Sequence, residues 1–333
     1  MKKLLLSVVM LGLVSCELVW AKPLVIAHRG ASGYLPEHTL EAATLAYALG
    51  ADFIEQDLVL SKDLVPVVLH DIHLETVTDV AHKFPHRHRD DGRYYALDFT
   101  LAELKSLVVH ERTDHQGQQV FAKRYQGNHP FSIATFEQHL ELITQLNRQF
   151  AKNTGVYPEI KSPAWHREQG VDISKIVLTL LRKHGLDDAN KPIFVQCFDF
   201  SEIKRLRNEL GAKVKLVQLI GENDWQETTT DYDALRTPAM LMEVAKVAQG
   251  IGPWIPQLVD FKTMQLTELA KHAHGAGLLV HPYTFRKDTL PKGVTSEQAI
   301  NVLFNKLKVD ALFTDFTDTV VEYLQTSGPA LPR

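Results

Sequence analysis

Short apolar runs alternate with longer amphipathic ones along this chain. Leu24 to Ala27, Phe53 to Leu58, Val65 to Leu69, Val156 to Ile160, Ile193 to Cys197, Val214 to Ile220, Ala248 to Gly252, Leu278 to His281 and Ala311 to Thr314 have the length and composition of strands. Between most of them the apolar positions take helical spacing: Leu40 to Leu49, which stops at Gly50, Phe136 to Phe150, and Asp172 to His184. Such repeated strand–helix alternation predicts a parallel α/β sheet. The fold class expected is a TIM (β/α)8-type barrel with a small insertion after the third strand segment. A doubly wound sheet competes, but the chain carries no G-x-G-x-x-G or Walker A signature for that sheet's usual nucleotide sites.

Two segments break the alternation. Residues 74–130 are polar and rich in His and Asp, with only short amphipathic pieces such as Leu101 to Val108. They read as a subdomain inserted into a catalytic barrel domain of residues 22–330. The link Ser61-Lys62-Asp63-Leu64 is too short for a parallel crossover, so the strands beside it should form an antiparallel hairpin. A turn centred between Lys62 and Asp63 would set Glu55 opposite His70, with Asp57 on the same face. A shift of one residue in that register would undo the pairing.

Composition changes the picture only in what it excludes. The 333 residues, 45% hydrophobic and 23% charged, suit one barrel with an insertion. A formal net charge of -4 offers no broad basic field, which argues against nucleic acid or an anionic membrane surface as partner. Any anionic substrate must be attracted locally. Residues 1–21 read as an export signal: Lys2 and Lys3 precede Leu4 to Val14, an apolar run too short to span a bilayer. Cleavage after Val19-Trp20-Ala21 would give a soluble periplasmic protein. Leu13-Val14-Ser15-Cys16 alternatively looks like a lipoprotein box, which would make Cys16 the lipid anchor of an envelope lipoprotein. On either reading Cys197 stands without a disulfide partner, and its apolar neighbours mark it as a small buried hydrophobe.

The chemistry-bearing residues sit at or just past the strand C-termini, where a barrel places its active site. Glu55 and Asp57 on one strand face, with a third carboxylate, would make an oxygen-rich site for a hard divalent cation; internal salt bridges are the plainer alternative. Glu159 and Lys161 share a face by period-two alternation, as third ligand and phosphate contact or simply as an ion pair. His28, followed by Arg29 and Gly30, joins His70 as a candidate for acid–base work near a metal, and Arg29 suits phosphate oxygens. His82, His86 and His88 read as solvated loop histidines, and His272 and His274 as residues of an exposed helix end.

His28-Arg29-Gly30, Pro36-Glu37-His38-Thr39, Glu55-Gln56-Asp57 and Val68-Leu69-His70-Asp71 together resemble the glycerophosphodiester phosphodiesterase family, in its bacterial periplasmic branch. Tyr157 to Lys161, Val195 to Phe198, His281 to Thr284 and Phe313-Thr314-Asp315 extend the likeness from Leu24 to about Leu324. His38 stands where the family's P-E-N-T-like segment has Asn. The resemblance implies a TIM barrel whose enzyme hydrolyses glycerophosphodiesters to sn-glycerol 3-phosphate and an alcohol, in glycerol and lipid metabolism. It implies one divalent cation, Ca²⁺ ahead of Mg²⁺, on Glu55, Asp57 and Glu159, with His28 and His70 catalytic. The substrate-binding positions expected are Arg29, Lys161, Gln196, Phe198, Trp254 and Tyr283. The partners expected are small glycerophosphodiesters and no nucleic acid, with a membrane reached only through a lipid anchor at Cys16. Oligomeric state is open, a homodimer included.

Overall fold

A computed structural model describes residues 22–327. The export-signal and lipid-anchor expectations fall on residues 1–21, outside the described residues. Every strand expected from the sequence forms, with ends shifted by two residues at most: β1 (Leu24–Ala27), β2 (Phe53–Leu60), β3 (Pro66–Val68), β4 (Gly155–Ile160), β5 (Phe194–Cys197), β6 (Lys215–Ile220) and β7 (Gly250–Pro253). A short antiparallel pair, β8 (Val259–Asp260) and β9 (Gln265–Leu266), stands apart, followed by β10 (Leu279–Val280) and β11 (Ala311–Thr314). The main sheet runs β10-β7-β6-β5-β4-β2-β1-β11. Its neighbours are all parallel along that path. At the seam Asp310 N–H donates to Val280 O (3.0 Å), Phe313 N–H to Pro282 O (3.1 Å) and Phe285 N–H to Phe313 O (2.8 Å). The eight strands thus form a nearly closed barrel.

Helices cover the outside. Leu40–Ala48 starts at Thr39, whose hydroxyl accepts from Ala42 N–H, and Phe136–Phe150 starts with a capping box between Thr135 and Gln138. Inside, Ile26, Phe53, Tyr157, Phe194, Val217, Ala311 and Phe313 make a packed floor, and the Tyr157 hydroxyl meets His281 Nδ1 at 2.8 Å. Successive side chains of a strand alternate between faces. Two positions past five of these seven stands a polar residue: His28 after Ile26, Glu55 then Asp57 after Phe53, Glu159 after Tyr157, Gln196 after Phe194, and Asp315 after Phe313. An aromatic floor with a polar rim above it follows directly from this alternation.

The hairpin forms, with a register one residue away from the expected one. β2 and β3 pair Leu58 with Val68, Val59 with Val67 and Leu60 with Pro66; continued, that register sets Leu69 opposite Asp57 and Asp71, not His70, opposite Glu55. The cause is the turn. Ser61 N–H donates to Val65 O and Leu64 N–H to Ser61 O, enclosing three loop residues with Leu64 left-handed at φ 62. Val59, Val67 and Leu69 therefore share a face and join a second hydrophobic cluster. His70 reaches the polar rim because β3 ends at Val68, so strand alternation no longer governs its direction.

That second cluster adds Leu74, Val77, Val80, Tyr94, Phe99, Leu104 and Val109 to the hairpin residues. Segment 74–130 thus has packing of its own, built on short helices such as Leu101–Lys105 and rooted on β2 and β3. Among the described residues no helix is long and apolar enough to cross a membrane.

Candidate active site

His28 follows β1 and Asp315 follows β11, and the pairing of Ala27 with Thr314 brings them side by side. His28 Nδ1 lies 2.6 Å from Asp315 Oδ1. Burial, then the charge of Arg29, lowers the His28 pKa to about 3 despite Asp315. The imidazole is neutral at ordinary pH; with Nδ1–H donated to Asp315, Nε2 keeps its lone pair. His70 repeats the device: its Nδ1 lies 2.8 Å from Asp71 Oδ1, and burial with Arg29 lowers its pKa.

Arg29 and His38 both adopt left-handed backbone, φ 58 and 63, a strained conformation for such side chains. They hold each other there: His38 N–H donates to Arg29 O at 3.0 Å, while Arg29 N–H donates to Glu55 Oε2 at 2.6 Å. Gly30 follows at φ 81, and a Cβ there would come 2.8 Å from the Ala42 backbone. The loop can lie flat on the adjoining helix only with glycine at that position.

Three carboxylates crowd the rim. The β2–β4 register pairs Asp57 with Glu159, so they stand side by side on the inward face with Glu55 one pleat below. Burial, then Asp57, pushes Glu55 well above the ordinary carboxylate range. Glu159 is pushed up too, by burial and by Asp57, against the pull of Lys161. Asp57 is held well below that range: burial opposes its charge, but His70 and a hydrogen bond from His38 Nε2 at 2.7 Å prevail. Asp57 Oδ1 is buried without a hydrogen-bond partner. A cluster of buried carboxylate oxygens with one left unsatisfied is the donor set a hard divalent cation requires. Ligand atoms of His38, Glu55 and Asp57 also lie within 4.8 Å of one another. His38 was not singled out as a site residue by the sequence, and its Nε2 is engaged by Asp57.

These groups open onto one cleft of about 190 Å³. His28, Arg29, Glu55, Asp57, His70, Glu159, Gln196, Phe198, Trp254 and Tyr283 line it, together with Trp225 and Arg286, which the sequence reading missed. Lys161 does not line it. Its Nζ sits 2.7 Å from Glu159 and 3.4 Å from Glu227, so it neutralises rim carboxylates. Trp225 and Trp254 meet edge to face at 5.2 Å and form an apolar wall. Trp225 comes from a loop after β6 whose sequence has no periodic pattern, so nothing local pointed to it. The other candidates stay apart: His82, His86 and His88 are exposed, His274 pairs with Asp310 at 2.9 Å, and Cys197 is buried.

Residues 28–319 match the glycerophosphoryl diester phosphodiesterase family. The glycerophosphodiester phosphodiesterase of Haemophilus influenzae is 44% identical, covering 91% of this chain and 90% of its own length. That of Treponema pallidum is 35% identical, over 90% and 91%. Among solved structures, a putative glycerophosphoryl diester phosphodiesterase from Silicibacter pomeroyi aligns with a TM-score of 0.72 at 22% identity, covering 93% of this chain and 95% of its own. An Oleispira antarctica phosphodiesterase in complex with sn-glycerol-3-phosphate aligns with a TM-score of 0.61 at 21% identity, covering 91% and 97%.

Proposed function

The chain belongs to the glycerophosphoryl diester phosphodiesterase family and has glycerophosphodiester phosphodiesterase activity, and from that premise we propose that it cleaves glycerophosphocholine, glycerophosphoethanolamine and similar diesters to sn-glycerol 3-phosphate and an alcohol. The observation that carries this reading is the meeting of two carboxylate-bound histidines, Arg29 and three buried carboxylates in a single cleft. The relative solved with sn-glycerol-3-phosphate bound supports the product assignment.

Glu55, Asp57 and Glu159 would hold one divalent cation, with Ca²⁺ preferred over Mg²⁺ because carboxylate oxygens on two strands suit a flexible coordination shell. When bound, such an ion supplies Lewis acidity at a phosphate oxygen and offsets the charge of the carboxylates. Arg29 places its guanidinium on the phosphate. His28 Nε2, the buried and unprotonated nitrogen, removes the proton of the glycerol hydroxyl next to the phosphoester, and that oxygen attacks phosphorus. The diester's negative charge raises the pKa of a nearby imidazole, which lets His70 carry a proton to the departing alcohol oxygen. His70 has 28% of its side chain exposed against 11% for His28, which suits the group serving the leaving side and, afterwards, the water that opens the cyclic phosphate. His28 then returns its proton to the glycerol oxygen. Phe198, Trp254 and Tyr283 wall in the glycerol, and Gln196 is a polar contact beside them.

The test is hydrolysis of glycerophosphocholine with and without a chelator. EDTA should abolish turnover and added Ca²⁺ restore it, whereas a diester lacking the vicinal hydroxyl should resist cleavage. Unchanged rates in EDTA would remove the cation from this account, and rapid cleavage of the hydroxyl-free diester would remove the cyclic intermediate. Export to the periplasm is part of the proposal, supported by the Lys2-Lys3 and Leu4 to Val14 pattern. Mass spectrometry of the mature N-terminus distinguishes cleavage after Ala21 from lipidation at Cys16.

A further inference from the structure

Segment 74–130 sends two arginines into the barrel's polar rim, and each ends on a carboxylate that holds a cleft histidine. Arg112 grips both oxygens of Glu37, through Nε at 3.0 Å and Nη2 at 2.6 Å, while its Nη1 reaches Asp71 Oδ2 at 2.7 Å. Asp71 binds His70 through its other oxygen, and Glu37 also accepts from Arg29 Nη1 at 3.0 Å. Arg124 donates from Nη2 to Asp315 Oδ2 at 2.7 Å, from Nε to Asp288 at 3.0 Å and from Nη1 to Ser32 O at 3.3 Å. Asp315 binds His28 through its other oxygen. Neither arginine lines the cleft. Their side chains are 16% and 4% exposed, so they are structural members of the interior despite belonging to a polar segment.

We infer that Arg112 and Arg124 are positioning residues for His70 and His28, which makes segment 74–130 part of the catalytic apparatus. The inference rests on the acid–base reading of the two histidines given above. A carboxylate bound on one oxygen only can swing, and the imidazole it holds swings with it. With its second oxygen fixed by a planar guanidinium, the carboxylate becomes a rigid, ionised acceptor that keeps the imidazole proton on Nδ1 and aims Nε2 at the cleft. The ionisation of both acids agrees with this. Asp315 lies well below the usual range because Arg286, His28 and Arg124 outweigh its burial, and Asp71 because His70 and Arg112 do. Arg286 also reaches Asp315 Oδ2, at 2.7 Å, but it lines the cleft itself. Arg124 is the support that owes nothing to substrate. Arg112 does a second job, since Glu37 orients the phosphate-binding Arg29.

The competing view is that both arginines only neutralise buried acids for stability, and steady-state kinetics with glycerophosphocholine separates the two. Arg124→Gln should lower kcat about tenfold or more with KM nearly unchanged, as expected for a misaimed catalytic group. Arg112→Gln should lower kcat and also raise KM, because Arg29 loses its brace. Asp288→Asn removes the charge of Arg124's other carboxylate partner without touching Asp315; it should shift Tm and leave kcat as in the wild type. The inference is overturned if folded Arg112→Gln and Arg124→Gln proteins turn over at the wild-type rate. It is equally overturned if Asp288→Asn costs as much kcat as Arg124→Gln. Should the Gln variants fail to fold, Arg112→Lys and Arg124→Lys decide: a depressed kcat supports positioning, and a wild-type kcat with a lowered Tm refutes it. A wild-type enzyme inactive on the diester would instead bring down the proposed function itself.

Discussion

At the scale of single residues, the rim is a set of buried charges that settle one another. His28 and Asp315 are 287 positions apart, and nothing near either one marks it as the other's partner. The sequence exposes His28 through its place at a strand end, whereas the acid that sets its tautomer becomes visible only in space. Glu111 shows the same physics without the compensation. Burial, together with Glu37 and Asp315, raises its pKa to about 7 against the pull of Arg124, and its Oε2 has no hydrogen-bond partner. Between pH 4.5 and about 7 the folded state keeps this carboxyl protonated while the unfolded state ionises it. Stability present in full below pH 4.5 is therefore lost progressively as pH rises through about 7. Glu111→Gln escapes that loss. Its thermal stability should match the wild type near pH 4.5 and exceed it by ~1–2 kcal/mol at pH 8. A difference that does not vary with pH would show that Glu111 is ionised in the folded protein.

At the scale of elements, the strands and the longer helices were legible because their signals are local. Phe136–Phe150 and Leu24–Ala27 take the bounds that periodicity alone assigns them. The β2–β3 hairpin was legible in kind and not in register. Four linking residues rule out a parallel crossover, but they leave open how many of them sit inside the turn. That depended on Leu64 taking φ 62, a conformation for which the sequence offers neither Gly nor Asn. Leu64 is 42% exposed, so it contributes little burial in return for the strain. Leu64→Gly should accordingly raise unfolding free energy by roughly 0.5–1 kcal/mol in urea titrations and leave kcat unchanged. A destabilised variant would mean that Leu64 contributes more by packing than it costs in backbone strain.

At the scale of the whole molecule, barrel closure brings His28, His70, the three carboxylates and the aromatic wall to one opening. The same closure packs Glu55, Asp57 and Glu159 together in a desolvated rim, which is costly unless a cation compensates. Ca²⁺ should therefore raise Tm in the absence of substrate. Saturation at a hundredfold over Kd corresponds to roughly 2.7 kcal/mol. Glu159→Gln should shrink the shift; an equal shift in that variant would take Glu159 out of the ligand set. The sequence by itself determined which side chains of one strand share a face, as with Glu55 and Asp57, and that the chemistry-bearing residues lie at or just past strand C-termini, because period-two alternation is a property of neighbouring residues. It also carried the family, through motifs spread along the chain. Only the tertiary structure decided the hairpin register, the pairing of His28 with Asp315 and His70 with Asp71, and the reach of Arg112 and Arg124 into the rim. Those depend on parallel strand pairing, on a turn conformation and on contacts between distant segments, and no local pattern of side chains encodes a distance across a barrel.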